Sequence, residues 1–244
     1  MAKKSIRYSL IAAVVLSFSA VSAYAQCTLG GTLSTWNISG NGNWSTSGDW
    51  NPAGAPNSTG TNVCITNGTS TVTLDISPSI ASLQVGSGNT LAIGDNTALK
   101  VNGSSIINNG AITLNSAGKA TSLVINSSGT VTLSGTGTVT LGNNTNNQIN
   151  GPNGGTLLNQ QTIQGAGQMN VNLNNQGTVN ANVSQSLTLE AFNGVTNTGT
   201  LEATNGGTLV LIGDGTYNNA GGTILANGSG SAVNLTGAIV TGGT

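Results

Sequence analysis

The stretch Leu173-Asn174-Asn175-Gln176-Gly177-Thr178-Val179 returns as Val195-Thr196-Asn197-Thr198-Gly199-Thr200-Leu201 and again as Tyr217-Asn218-Asn219-Ala220-Gly221-Gly222-Thr223-Ile224. The starts are evenly stepped (195−173 = 22 and 217−195 = 22), and Ile239 opens a fourth copy at the same step (239−217 = 22). Self-similarity at a short fixed period marks a solenoid, in which no unit buries its apolar face alone. Within a unit the apolar residues alternate with polar ones, as in Leu187-Thr188-Leu189, and Leu209 and Leu211 keep the same spacing. That period of two belongs to a strand buried on one face. Asn193-Gly194, Asn205-Gly206 and Gly213-Asp214-Gly215 punctuate the strands as turns, because Gly and Asn reach positive φ cheaply.

Matching columns follow from the period. Leu187 and Leu189 stand over Leu209 and Leu211, and Val179 over Leu201, while the double glycine Gly221-Gly222 adds one residue to the third copy before the register is restored at Ile239. A coil of about 22 residues with roughly three short strands and polar corners is the unit of a parallel β-helix, each coil about 4.8 Å above the last. Asn175, Asn197 and Asn219 then lie one above another, either as an amide ladder or simply as turn formers.

Upstream, Leu83/Val85, Leu91/Ile93, Leu99/Val101, Ile112/Leu114, Leu123/Ile125, Val131/Leu133 and Val139/Leu141 are looser rungs of the same kind. Residues 107–112 and 158–163 are degenerate copies of the repeat start. Gly142 to Gly155 has few apolar residues and reads as a long loop leaving one coil. The residues after Ser79 make about seven coils, a rod of about 35 Å. An all-β sandwich is the alternative fold, weakened by the constant period.

The chain divides into a leader at 1–25, a cap at 26–78 and repeats from 79 to 244. Lys3, Lys4 and Arg7, the apolar run Leu10 to Ala20, and Ala23-Tyr24-Ala25 form the three parts of a secretory signal peptide. Its apolar run is shorter than the ~20 residues a membrane span needs, and no later segment is long enough. Export makes a Cys27–Cys64 disulfide the expected state of the two cysteines. Closing that loop contributes about 4 kcal/mol by chain entropy.

After the leader only Lys100 and Lys119 face Asp49, Asp75, Asp95, Glu190, Glu202 and Asp214, a net charge of 2−6 = −4. That excludes nucleic acid, which needs many cations to replace phosphate counterions, and an anionic membrane surface. With no His and two Cys in the chain, a zinc site and a His-activated nucleophile are both excluded. Glu190 and Glu202 are the best carboxylate pair for glycoside cleavage, yet they occupy different columns of the repeat. Asp95 and Asp214 read as turn formers. The expectation is a non-enzymatic protein without metal or cofactor.

Trp36-Asn37-Ile38-Ser39-Gly40-Asn41-Gly42-Asn43-Trp44-Ser45, followed by Asp49-Trp50-Asn51-Pro52 and Pro56-Asn57, resembles the N-terminal module of bacterial surface and autotransporter-like proteins, which precedes a Gly/Asn/Thr-rich β-helix passenger. The resemblance implies a right-handed parallel β-helix, secreted or displayed on the cell surface, and no particular activity. Trp36, Trp44 and Trp50 then have two possible roles: a buried cap on the first coil, or an exposed platform that stacks on sugar rings. Surface glycans and self-association are the partners this reading expects. The sequence stops at Ile239–Thr244, just inside a repeat, which leads us to expect a longer protein or a covered last coil.

Overall fold

The computed structural model describes residues 26–152, 154–190, 194–213 and 215–244. The signal-peptide reading of 1–25 and the turn readings of Asn193 and Asp214 lie outside the described residues. The chain winds as a parallel β-helix with three long sheets, visited in the order A, B, C on each turn. Sheet A has eleven strands, beginning with Thr32–Trp36 and Thr61–Ile65 and ending with Ile239–Thr241. Sheet B has nine, from Gly42–Asn43 and Thr71–Leu74 to Thr223–Ala226, and sheet C has eight, from Ser79–Ile80 to Ala232–Thr236.

Every ladder between these strands is parallel except one, the pairing of Thr35 with Asn51 and Trp36 with Trp50. The columns read from the repeat are present: Leu187 pairs with Leu209, Leu189 with Leu211 and Val179 with Leu201. The extra residue at Gly221-Gly222 is present as well, since Leu201 pairs with Ile224 and Leu209 with Val233. The register is not restored afterwards. Tyr217 pairs with Val240, not Ile239, so the fourth copy begins one residue later than expected and Ile239 is 60 % exposed.

The core is a set of inward columns. All members of the upstream apolar pairs, from Leu83/Val85 to Val139/Leu141, are wholly buried. In sheet A the partners Val63, Leu83, Ile106, Leu133, Asn159, Asn175 and Asn197 form one column. Its spacing along the chain is not constant. The step is 83−63 = 20 at first, 133−106 = 27 at the widest, 175−159 = 16 at the tightest, and 197−175 = 22 only in the last part. The strands hold the stack and the corners absorb the difference, so the constant repeat describes the C-terminal part alone.

Two further expectations are corrected. Sheet C places eight strands from Ser79 onward, against the seven coils expected, and one of them, Asn147–Asn150, lies inside the supposed loop Gly142–Gly155. It pairs with Thr121–Ile125 and with Gly167–Asn170. Only Ile149 fills its inward side with an aliphatic group. The other inward residue, Asn147, is wholly buried because its amide is satisfied: Nδ2 donates to Gly142 O at 2.8 Å and Asn144 O at 3.0 Å, and Oδ1 accepts from Ser116 N at 2.9 Å. A strand that buries an amide leaves no hydrophobic alternation to read.

A sheet edge at the end of a solenoid exposes unpaired backbone and the apolar interior. Here the short strand Trp50–Asn51 covers the first strand of sheet A. Beneath it the three tryptophans are at most 2 % exposed. Trp36 and Trp44 each meet Trp50 edge to face, with centroids 5.0 and 4.9 Å apart. Each indole N–H is satisfied: Trp36 by Gly40 O, Trp44 by Pro56 O and Trp50 by Trp44 O. Trp44→Ala is expected to cost about 3–5 kcal/mol, the range for truncating a buried aromatic. Because a solenoid is stabilised by neighbour contacts, the loss is local. Hydrogen exchange should show lost protection at Thr32–Trp36 and Thr61–Ile65 while Thr178–Ala181 stays protected.

Candidate functional site

The N-terminal segment crosses the outer face of sheet A. Cys64 and Gln84 are adjacent in that face, both outward in the alternation and both buried, because Gln26–Thr28 lies over them. Cys27 and Cys64 form the expected disulfide, with their Cα atoms 5.8 Å apart. Gln84 completes the clasp: its Oε1 accepts from Thr28 N at 2.7 Å and Thr28 Oγ1 at 3.0 Å, and its Nε2 donates to Gln26 O at 3.0 Å. The two cysteines were legible in the sequence; Gln84 was not, since nothing local marks a glutamine whose partners lie so far away along the chain.

The amide ladder is real and longer than expected. Asn159 donates to Asn175 at 2.8 Å, Asn175 to Asn197 at 2.7 Å and Asn197 to Asn219 at 2.6 Å, all through Nδ2 to Oδ1. All four are at most 1 % exposed. Each Nδ2 also reaches a backbone carbonyl of the adjoining corner: Gln161, Gly177, Gly199 and Gly222 respectively. Asn159 was not legible in the sequence because its step to Asn175 is 16, not 22. At the start of the ladder, Gln161 exchanges hydrogen bonds with Asn108, accepting from Asn108 Nδ2 at 3.2 Å. The ladder is a buried structural feature.

The tryptophans offer no stacking platform, since their ring faces are shut inside the cap. Glu190 lies on sheet C and Glu202 on sheet B, so the structure does not bring the two carboxylates together as a pair. Asp95 holds not its own turn but the corner one coil further on: its Oδ1 accepts from Ala117 N at 2.8 Å and Lys119 N at 3.0 Å. These backbone donors, with the Lys119 charge as a smaller cause, hold its carboxyl below the ordinary range. Tyr217 is wholly buried, its hydroxyl shared between the carbonyls of Leu189 and Ile212. Burial pushes its pKa up to about 12, and the negative Glu190 acts in the same direction.

Outer surfaces are the remaining candidates for contact. On sheet B one outward column reads Thr71, Thr90, Ala111, Thr138, Thr162, Thr178, Thr200, Thr223. Its hydroxyls point away from the core at the strand spacing of about 4.8 Å. Sheet C carries a column of another kind, Lys100, Val124, Asn150 and Asn170. It forms one wall of a cleft of about 630 Å³ that is also lined by Gly151, Pro152, Gly154, Val171 and Asn172. Among the described residues no group of three or more His, Cys, Asp and Glu could hold a metal ion, and no helix is long and apolar enough to cross a membrane. No family model, curated protein or solved structure matches the chain.

The ladder makes a sharp prediction. Asn197 Nδ2 faces three acceptors, Asn219 Oδ1, Gly199 O and Thr223 O. Asn197→Ala leaves Asn175 without its acceptor on that side and is expected to cost about 1–3 kcal/mol at any pH. Asn197→Asp puts a carboxylate among those acceptors, which raises its folded pKa above the ordinary ~3.9. A raised folded pKa means the variant is most stable below about pH 4, where the carboxyl is protonated, and loses stability as the pH rises through the folded value. Urea midpoints at pH 3 and pH 7 should therefore differ more for Asn197→Asp than for the parent chain.

Proposed function

We propose that the protein is an exported, non-enzymatic β-helix rod that serves as a structural or adhesin-like element outside the cell, of the autotransporter-passenger-like type. The observation that carries this reading is the long stack of parallel sheets whose outer columns are hydroxyls and amides with few charges, as in the threonine column of sheet B. Such a face repeats the same polar groups coil after coil, which suits contact with another repetitive surface. The Cys27–Cys64 bridge supports an oxidising destination. The signal-peptide pattern of residues 1–25 supports the same destination.

Production of the full chain in a bacterium with a periplasm tests this. The expected product lies outside the cytoplasm, begins at Gln26 by mass and has no titratable thiol until reduced. A chain that stays in the cytoplasm with Met1 in place overturns the reading. In the exported product, Cys27→Ser is expected to lower stability by about 4 kcal/mol at most. Proteolysis should then begin in the N-terminal segment that the bridge holds against sheet A.

A further inference from the structure

The cleft on sheet C arises from a step in coil size. Between sheets C and A the corner after Asn150 runs through residues 151–155 before the strand Thr156–Asn159 begins. One coil further on, Val171 alone separates Gly167–Asn170 from Asn172–Asn175. The first corner is therefore the longer of the two. They touch at their roots: a Cβ on Gly151 would stand 2.8 Å from Val171 Cγ2, so glycine is required for this approach. Pro152 and Gly154 are exposed on the longer corner, and Val171, 3 % exposed, lines the same cleft.

The wall formed by the sheet changes character along the rod axis. Lys100 is exposed and has no ion-pair partner among the described residues. Val124, next in the column, is an apolar outward residue only 8 % exposed. Asn150 and Asn170 follow, one amide per coil, braced by Asn150 Nδ2 donating to Gln148 Oε1 at 2.9 Å and Asn170 Nδ2 to Gln168 Oε1 at 3.4 Å. Among the described residues Asn150 Oδ1 accepts no hydrogen bond. One step beyond the Met169–Leu189 pair, Glu190 continues the column with a negative charge. A concave site of several hundred Å³ with an apolar floor and a few placed polar groups is the ordinary form of a small-ligand site.

From this arrangement we infer that the cleft binds a short acidic oligosaccharide lying along the rod axis, with a sugar carboxylate at Lys100 and uncharged rings over Val124, Asn150 and Asn170. A carboxylate fits an unpaired ammonium, and Glu190 keeps a second one from the far end. The amides recur at the strand spacing of about 4.8 Å, close to the repeat of a sugar in an extended glycan and not to the ~3.4 Å rise of an extended peptide. Because the chain after residue 25 carries net charge 2−6 = −4, diffuse attraction does not supply this affinity. The inference rests on the adhesin-like reading for the source of the glycan alone. Binding by the purified chain is measured separately from export, so either idea can fail without the other.

The test is calorimetric titration of the purified chain with a trisaccharide ending in glucuronic acid and with its neutral glucose-ended counterpart. Saturable binding of the acidic sugar is expected, weakened at least tenfold by Lys100→Gln and abolished by Val124→Phe, which fills the floor. Lys119→Gln, a change to the other lysine after residue 25, should leave it intact. Unchanged circular dichroism and thermal midpoints establish that these variants fold. The proposal is overturned if the acidic trisaccharide does not bind saturably, if the neutral one binds as well, or if Lys119→Gln weakens binding as much as Lys100→Gln.

Discussion

In-register stacking of parallel strands is the constraint on which everything else in this molecule depends. Each coil satisfies its backbone donors and acceptors against the coils above and below, so a side chain in one coil rests on the equivalent side chain of the next. The rule for a buried position is then set by its column. Aliphatic residues are buried against aliphatic neighbours along most of their columns, and a buried amide is tolerated where its polar atoms find partners, whether an amide of the next coil, as in the ladder, or backbone groups, as at Asn147. The sheet A column shows both solutions in succession, since Leu133 ends the aliphatic run and Asn159 starts the ladder. A related transition appears in sheet B, where Leu141 pairs with Gly165 and the later coils carry Ala181 and Ala203.

The N-terminal end needs a different device because stacking has nothing to stack on there. Three indoles and one antiparallel strand cover what a further coil would have covered, while the disulfide-pinned segment lies across the outer face of sheet A. Aromatic bulk suits that role. Three large side chains fill the N-terminal end of the interior, and each retains a polar handle that finds a carbonyl. The tryptophan-bearing stretch Trp36 to Asn51 differs in composition for this reason, whereas Thr61–Ile65 and Thr71–Leu74, which also precede Pro78, are already parallel rungs of the stack.

How much of this was legible in the sequence follows from the same physics. Columns filled by Leu, Ile and Val were readable, because period-two alternation records burial directly; every upstream pair named from the sequence lies in the core. Columns filled by amides were readable only where the spacing was constant. Asn175, Asn197 and Asn219 announced themselves by their even step, while Asn147 and Asn159, equally buried, did not. A buried Asn and a turn-forming Asn are the same letter, and only the neighbouring coil distinguishes them. The Trp residues left two roles open for a related reason: an aromatic motif shows a need for apolar contact without showing whether protein or ligand supplies it. The cleft was the least legible feature, since its wall depends on the strand Asn147–Asn150 and its other lining on the mismatch between consecutive corners.

That mismatch also bears on how such a fold acquires a site. A solenoid with uniform coils presents ridges and flat faces, and neither encloses a ligand. Here the inward columns stay in register while the step between coils falls from 159−133 = 26 to 175−159 = 16. The excess length is carried by corners, which are free to vary because their backbone faces solvent. Concavity therefore costs the core little: Ile149 and Met169 remain paired and buried directly behind the cleft. Rigid strands fix the spacing of Lys100, Val124, Asn150 and Asn170, and the unequal corners supply the enclosure. Stability and recognition are thus assigned to different parts of the same coil, the first to residues that must match their neighbours and the second to those that need not.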